Sequence, residues 1–493
     1  MTRPLAAALA LGLSVAAGCG EGRPVLRPVI DTAGADSDAY PYAGLTALVL
    51  SVARAGEETS VTVPIGEPLE LAGADYGTDL VVHLSGLSGE IETAYGRTCA
   101  VDLTPDLLAD DPEIHLYLSR IVKWGETPSE VDGQRTGIMA YPLPDGRAAF
   151  VGGWPSPIAD RFDPEDGAFV ELAAELAPRR GGVLAPLADG RALLIGGQDG
   201  DDDGVPLVEV IDPRPPERGL GPAGTLESQP GPRLRDHAAV TLVDGSVVVV
   251  GGEEQDAAGE AFTPAVRAAW QLGFGDGGVL EAPRRLGVEA SSARAGHSMT
   301  RLGDEVGADV LIAGGRDETG APVAQAELYR PLRQDFEVVD GAVLTVPRWG
   351  HTAVRLPGGS ILILGGMTLV EGEERPVQAL ELYDPVQGVF EVVGELPASA
   401  GLTGMSVSSL PDGRVLLAGG LDADGEPVAT ALIASLDSLN GEVNVSQTDP
   451  LAAARVGHGA ARLCDGTILV VGGATDDGAP ASERYNPPSA NRR

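Results

Sequence analysis

Short apolar runs closed by glycine, aspartate and proline recur along most of the chain, and predict strands joined by tight turns. Residues 246–250 and 360–364 are nearly continuous apolar stretches, the pattern of strands covered on both faces. Seven such runs end on paired glycines: Gly152-Gly153, Gly196-Gly197, Gly251-Gly252, Gly314-Gly315, Gly365-Gly366, Gly419-Gly420 and Gly472-Gly473, spaced 44 to 63 residues apart. At a constant distance ahead of six pairs stands Asp145, Asp189, Asp244, Gly358, Asp412 or Asp465, each followed by glycine; in the fourth unit Asp304 lies farther upstream. Asp-Gly between two apolar runs is a strong hairpin signal, because both turn positions take positive φ. An arginine precedes the turn at a second constant distance in five units, as Arg135, Arg179, Arg294, Arg348 and Arg455. The third unit has Arg233 and Arg235 out of step, and the sixth has Leu402.

After each glycine pair comes a polar loop, then a third strand closing on residues 381–385 (Glu-Leu-Tyr-Asp-Pro), echoed at 161–164, 210–213, 327–331 and 483–487. A fourth strand follows, as at 389–393 or 336–339. Four strands per repeat, seven times over, predict an all-β, seven-bladed β-propeller. Arg348-Trp349-Gly350-His351, Gly358-Gly359, Gly365-Gly366 and Tyr383-Asp384-Pro385 resemble kelch repeats, and the resemblance spans residues 130–487. It departs from the family where Phe or Val replaces the tryptophan usual in the fourth strand, and in the degenerate fourth and sixth units. The copper oxidases sharing this propeller need a cross-linked tyrosine and cysteine beside converging histidines. Cys464 stands in a turn and Cys99 outside the ring, so that chemistry is not expected. No sialidase-type Ser-x-Asp-x-Gly turn repeats, and neither Gly-x-Ser-x-Gly nor His-Glu-x-x-His occurs.

The last unit ends at Pro487 without a fourth strand, and an open ring would leave a bare sheet edge. Residues 113–124 are therefore expected to close a propeller running from 113 to 487; the alternative is that this strand belongs to the unit before it. Residues 44–112 read as a small β-sandwich-like domain, with strands at 45–52, 59–64 and 79–87, and 488–493 as a polar tail. Cys99 and Cys464 form an even pair that an oxidising compartment could bridge.

Residues 1–18 read as a signal peptide, a short apolar run behind Arg3, too short to span a bilayer as a mature helix. Val15-Ala16-Ala17-Gly18-Cys19 resembles the lipobox of bacterial lipoproteins, which implies acylation of Cys19. Residues 19–43 would then be a flexible tether, and the folded part an outer-membrane lipoprotein, periplasmic or surface-exposed, held to the membrane by its anchor alone.

The formal charge of -38 opposes nucleic acid as a partner. Arg135, Arg179, Arg294, Arg348 and Arg455 approach one face of the disc, and two readings stay open for them. They could line a mouth for a carboxylate, sulfate or phosphate, or each could tie its own blade to the next by bonding backbone carbonyls or the Asp of the third strand. His237, His297, His351 and His458 share one repeat position, which argues for structure, since metal ligands must converge. The carboxylate-rich loops at 198–204, 422–425 and 476–478 could collect Ca²⁺, but read more simply as hairpin turns; no other cofactor or metal is expected. The function implied is a monomeric envelope binding or scaffold module presenting loops to a protein or glycan. The alternative is a lyase or hydrolase acting on an acidic saccharide at an arginine-lined mouth, where Trp154 is the one aromatic that can be placed.

Overall fold

The computed structural model describes residues 25–487 apart from short internal stretches, the longest being 104–113 and 214–226. Every regular element among them is a strand. Seven four-stranded antiparallel sheets stand around an axis. Blade 1 comprises Met139–Pro142, Ala148–Val151, Ala159–Asp163 and Ala168–Glu171. In blades 2 to 6 the first strands are Val183–Pro186, Ala238–Thr241, Ser298–Arg301, Thr352–Arg355 and Ser406–Ser409; blade 7 begins with Gly459–Arg462. These first strands pack against one another in an unbroken ring. The chain is a seven-bladed β-propeller.

Every second strand is buried along its length, as at Val247–Val250 and Ile361–Leu364, because neighbouring blades cover both of its faces. The tight turns joining first to second and third to fourth strands share one side of the disc, the hairpin face. The paired glycines and the longer connections share the other, the loop face.

The paired glycines fasten blade to blade. The second glycine donates its N–H to the next blade: Gly197 to Leu234 O, Gly252 to Arg294 O, Gly315 to Arg348 O, Gly366 to Leu402 O, Gly420 to Arg455 O and Gly473 to Arg135 O, all at 2.7 to 2.8 Å. The last of these joins blade 7 to blade 1. Both glycines of every pair hold positive φ, a region that L side chains avoid. The first also leaves space for its neighbour. A β-carbon at Gly196, Gly251, Gly314 or Gly419 would lie 2.6 to 2.9 Å from the imidazole of His237, His297, His351 or His458 on the next blade.

Blade 7 takes its fourth strand from the start of the chain, and here the structure corrects the expected boundary of 113–124. That stretch is divided. His115–Arg120 pairs within the N-terminal sheet, and Lys123–Glu126 pairs with Ser482–Asn486 to close the ring. Leu116 and Leu118 alternate into the N-terminal core, whereas Val122 turns the chain at φ 64 and Trp124 faces Tyr485. That ring pair, with centroids 5.0 Å apart, repeats Tyr329–Phe336 and Tyr383–Phe390 of blades 4 and 5. Trp124 thus occupies the position that Phe336 and Phe390 hold in the fourth strands of blades 4 and 5.

Seven of the N-terminal strands connect into one sheet around a core that includes Leu50, Val82, Leu84 and Leu118, while Val25–Leu26 and Leu71–Ala72 pair separately. The tether expected over 19–43 is shorter than that, because Val29–Thr32 pairs in parallel with His115–Arg120 and Ile30 packs on this core. The sheet sits against blade 7. Arg97 donates to Cys464 O (2.8 Å), Asn486 donates to Tyr95 O (2.7 Å) and Ser119 O (3.0 Å), and the Arg484 guanidinium lies 4.0 Å over the Tyr117 ring. A disulfide joins Cys99 to Cys464, with Cα atoms 5.1 Å apart. The proposed signal peptide and Cys19 lie outside the described residues, as do 488–493.

Gly366→Ala and Gly372→Ala separate conformation from space, since both positions have φ +86. Nothing lies within 4 Å of a β-carbon at Gly372, whereas one at Gly366 would meet Trp349 O at 2.6 Å and His351 N at 2.9 Å. Gly372→Ala should cost about 1 kcal/mol from backbone strain, and Gly366→Ala about 3 kcal/mol or more, measured by urea unfolding. Equal losses would show that close approach is not what requires glycine there.

Candidate functional site

The five repeated arginines do not line a mouth, which corrects the first of the two readings. Arg135, Arg179, Arg294, Arg348 and Arg455 are 0–1 % exposed. Each pairs with an acidic residue on the third strand of its own blade: Asp160 (2.8 Å), Glu209, Glu327 (2.9 Å), Glu381 (2.6 Å) and Glu483 (2.8 Å). In four blades the guanidinium also donates to the carbonyl of the first paired glycine: Arg179 to Gly196 (2.9 Å), Arg294 to Gly314 (2.8 Å), Arg348 to Gly365 (3.2 Å) and Arg455 to Gly472 (2.7 Å). The partner carboxylates complete the cradle by accepting backbone N–H groups, as Glu381 does from Thr345 (2.7 Å) and Val346 (3.1 Å). Burial pushes the pKa of Arg294 and Arg348 down, and Glu327 and Glu381 oppose it.

The two blades without this arginine exchange the whole pair. Leu234 replaces arginine in blade 3, where Trp270 opposite Val249 takes the acidic position; in blade 6, Leu402 and Leu432 take the two places. Leu402 and Leu432 lie in one hydrophobic core, and Leu234 and Trp270 belong to another. Well-packed apolar side chains can replace a buried ion pair, whereas half of a pair cannot stand alone.

Rather than converging, His237, His297 and His458 are buried between blades and His351 is half-buried there. Desolvation lowers their pKa, to about 4 for His237 and His458, about 3 for His351, and well below the ordinary value for His297. His351 reaches Ser298 Oγ (2.9 Å) and His458 reaches Ser406 Oγ (2.8 Å), each on the preceding blade. Met405 and Ile138 fill the same position in blades 6 and 1, packing on Gly365 and Gly472.

The acidic loops close on themselves. Asp199 Oδ1 accepts from the backbone N of Asp201 (3.0 Å) and Asp203 (3.1 Å), and Asp422 Oδ1 from Asp424 (2.9 Å) and Glu426 (3.0 Å). The third, 476–478, lies outside the described residues. Among the described residues no group of three or more His, Cys, Asp or Glu is placed to hold a metal. Trp154 is half-buried on the loop face, 5.9 Å from the Arg180 guanidinium.

Open positive charge lies instead on the hairpin face. A depression of about 560 Å³ spans blades 4 to 7 and is lined by Arg301, Arg355 and Arg462 with Thr300, Ser409, Leu356, Leu410 and two prolines. Each arginine is the last residue of its first strand, where blades 1 to 3 carry Pro142, Pro186 and Thr241. Asp304 is the one carboxylate in the lining. It pairs with Arg355 (2.8 Å) and more loosely with Arg301 (3.8 Å). The hydrogen bond and charge of Arg355 hold its pKa below the usual carboxylate range. Arg355 Nε is buried and has no hydrogen-bond partner. A second depression, of about 490 Å³, lies on the loop face beside Arg233, Glu254 and Asp256. The sequence signal for the first was an Arg-Leu step before three of the turns, present in only three blades.

A family model described as the β-propeller of tRNA wybutosine-synthesizing protein 4 matches residues 291–484, the span of blades 4 to 7. The likeness is one of fold. Of 535 matching solved chains, one titled "Structure of YjhT" is 15% identical, with a TM-score of 0.49, covering 65% of this chain and 99% of that one. No curated protein matches.

Arg348→Leu alone should lower stability by about 3–5 kcal/mol in urea unfolding, by stranding Glu381, and Arg348→Leu/Glu381→Leu should regain most of it. A double variant no better than the single would refute the unit exchange.

His351 stays neutral in the fold to about pH 3, while in the unfolded chain it takes up a proton near its ordinary value of 6.5. Its contribution to stability is full above that pH and declines as pH falls toward 3. His351→Met, copying Met405, should therefore lose less Tm than wild type between pH 6.5 and 4. Parallel profiles would contradict a neutral imidazole.

Proposed function

We propose that the chain is a binding module of the bacterial cell envelope: a kelch-type propeller held to the outer membrane by a lipid on Cys19, offering a rigid face to a protein or glycan partner. Supporting the anchor is the lipobox-like Val15–Cys19 sequence ahead of the folded strands. The observation that carries the binding reading is the lining of the hairpin-face depression. It holds three arginines, two hydroxyls and apolar walls, and its single carboxylate is already paired with Arg355. Such a lining can grip an anionic group, but it presents no acid–base pair and no activated nucleophile. The lyase or hydrolase reading relied on the five repeated arginines, and those are spent inside the blades.

Fractionation tests the anchor. Wild type should sediment with outer membranes, and Cys19→Ser should be released into the soluble extract. The soluble form, immobilised, should then bind one class of envelope component saturably in a parallel glycan-array and envelope-extract screen. Persistent membrane association of Cys19→Ser would overturn the anchor, and absence of any saturable ligand would overturn the binding role.

A further inference from the structure

The hairpin face carries a second feature concentric with the arginine depression. Four consecutive turns between third and fourth strands each raise an apolar side chain into solvent: Val279 in blade 3, Leu332 in blade 4, Val386 in blade 5 and Leu439 in blade 6, exposed by 54, 79, 93 and 95 %. Val306, in the inner turn of blade 4, adds a fifth at 66 %. Their neighbours hold them there. Asp384 Oδ1 accepts the N–H of Val386 (2.7 Å) and Asp437 Oδ1 that of Leu439 (2.9 Å), so the turn is fixed while its apolar tip points away from the blade. Loose hydrophobic residues on a surface are ordinary, but an arc on consecutive blades around a concave, charged centre has the anatomy of an interface. At blades 7 and 1 that face is already occupied, because the N-terminal unit is bridged by Cys99 to the blade 7 turn at Cys464, beside Gly146 of the blade 1 turn.

Charge selects the partner. On a chain of formal charge -38, this depression gathers three guanidiniums against one carboxylate, and Arg355 keeps a buried Nε with no acceptor. A carboxylate entering there would meet guanidinium groups that bind it in the fork geometry arginine favours. The lining has no aromatic ring on which a sugar could stack, and the apolar arc around it suits a polypeptide. We infer that the hairpin face of blades 3 to 6 docks a partner protein, which inserts an acidic side chain between Arg301, Arg355 and Arg462 and lays apolar residues along the arc from Val279 to Leu439. This rests on the binding reading above and names its partner class.

The test uses the soluble Cys19→Ser chain and a fluorescein-labelled peptide with two adjacent glutamates flanked by leucines. Its controls are the same peptide with glutamines, oligogalacturonate and inorganic phosphate, and all are measured by anisotropy. The acidic peptide should bind at least tenfold more tightly than the glutamine peptide, weakening as salt rises. Arg355→Gln/Arg462→Gln and, separately, Val386→Ser/Leu439→Ser should each weaken it at least tenfold with Tm unchanged. The second pair is nearly fully exposed, so it tests the face without touching the blades. Binding by either variant as tight as that of wild type, tighter binding of oligogalacturonate, or no binding by wild type would overturn the docking site. So would sedimentation showing a wild-type dimer that Leu439→Ser dissolves, since the face would then belong to a second copy. An envelope component retained equally by wild type and both variants would remove this site while leaving the binding role intact.

Discussion

A propeller blade has no edge of its own to spare, so the ring depends on how one blade is fastened to the next. Here the fastening is a backbone N–H on a residue without a side chain, aimed at a carbonyl of the neighbouring blade. Six of the seven junctions use it at nearly one distance, including the junction between the last blade and the first. The buried arginine stands directly behind it. Its main-chain carbonyl accepts from the preceding blade, while its guanidinium holds the acidic third-strand residue and, in four blades, its own blade's glycine carbonyl. One residue therefore joins the junction to the interior of the blade.

The ring tolerates two chemistries at this position because the fastening itself is backbone. Leu234 and Leu402 present the same carbonyl to the preceding blade as the arginines do, and their side chains meet apolar partners instead of a carboxylate. What the fold demands is that the buried pair match, since a lone guanidinium or carboxylate there would lie desolvated without compensation. The degeneracy of the sixth unit is thus a consistent apolar substitution. Blade 4 departs differently, its longer inner turn carrying Asp304 out to the arginines of the hairpin face.

Much of this architecture was legible because glycine pairs and Asp-Gly turns are backbone requirements, and they recur wherever the backbone repeats. Blade number, strand order and the need for a closing strand all followed from them. Depth did not follow. A repeated arginine reads the same whether it lines a channel or is sealed beneath a strand, and only the acidic residue opposite it, at Asp160, Glu209, Glu327, Glu381 and Glu483, distinguishes the two. The closing strand was placed too early because His115–Arg120 is itself a good strand; Trp124, matching the aromatic of other fourth strands, marked the true one. Arg301, Arg355 and Arg462 escaped notice for the opposite reason. A search keyed to recurrence passes over a position that differs from blade to blade, and such positions are where a symmetric scaffold becomes specific.

Closure by Lys123–Glu126 has a consequence for how the molecule is made. The final sheet needs a strand synthesised before any blade and three strands synthesised after six of them, so its pairing is among the most distant in sequence that the chain contains. Local hairpins can assemble as they emerge, but the ring cannot be completed until the C-terminus has arrived, and loop closure over that span makes it intrinsically slow. Until the two meet, the unpaired edge of Ser482–Asn486 and the waiting segment around Trp124 stay exposed, which makes this seam the part of the fold most open to mispairing.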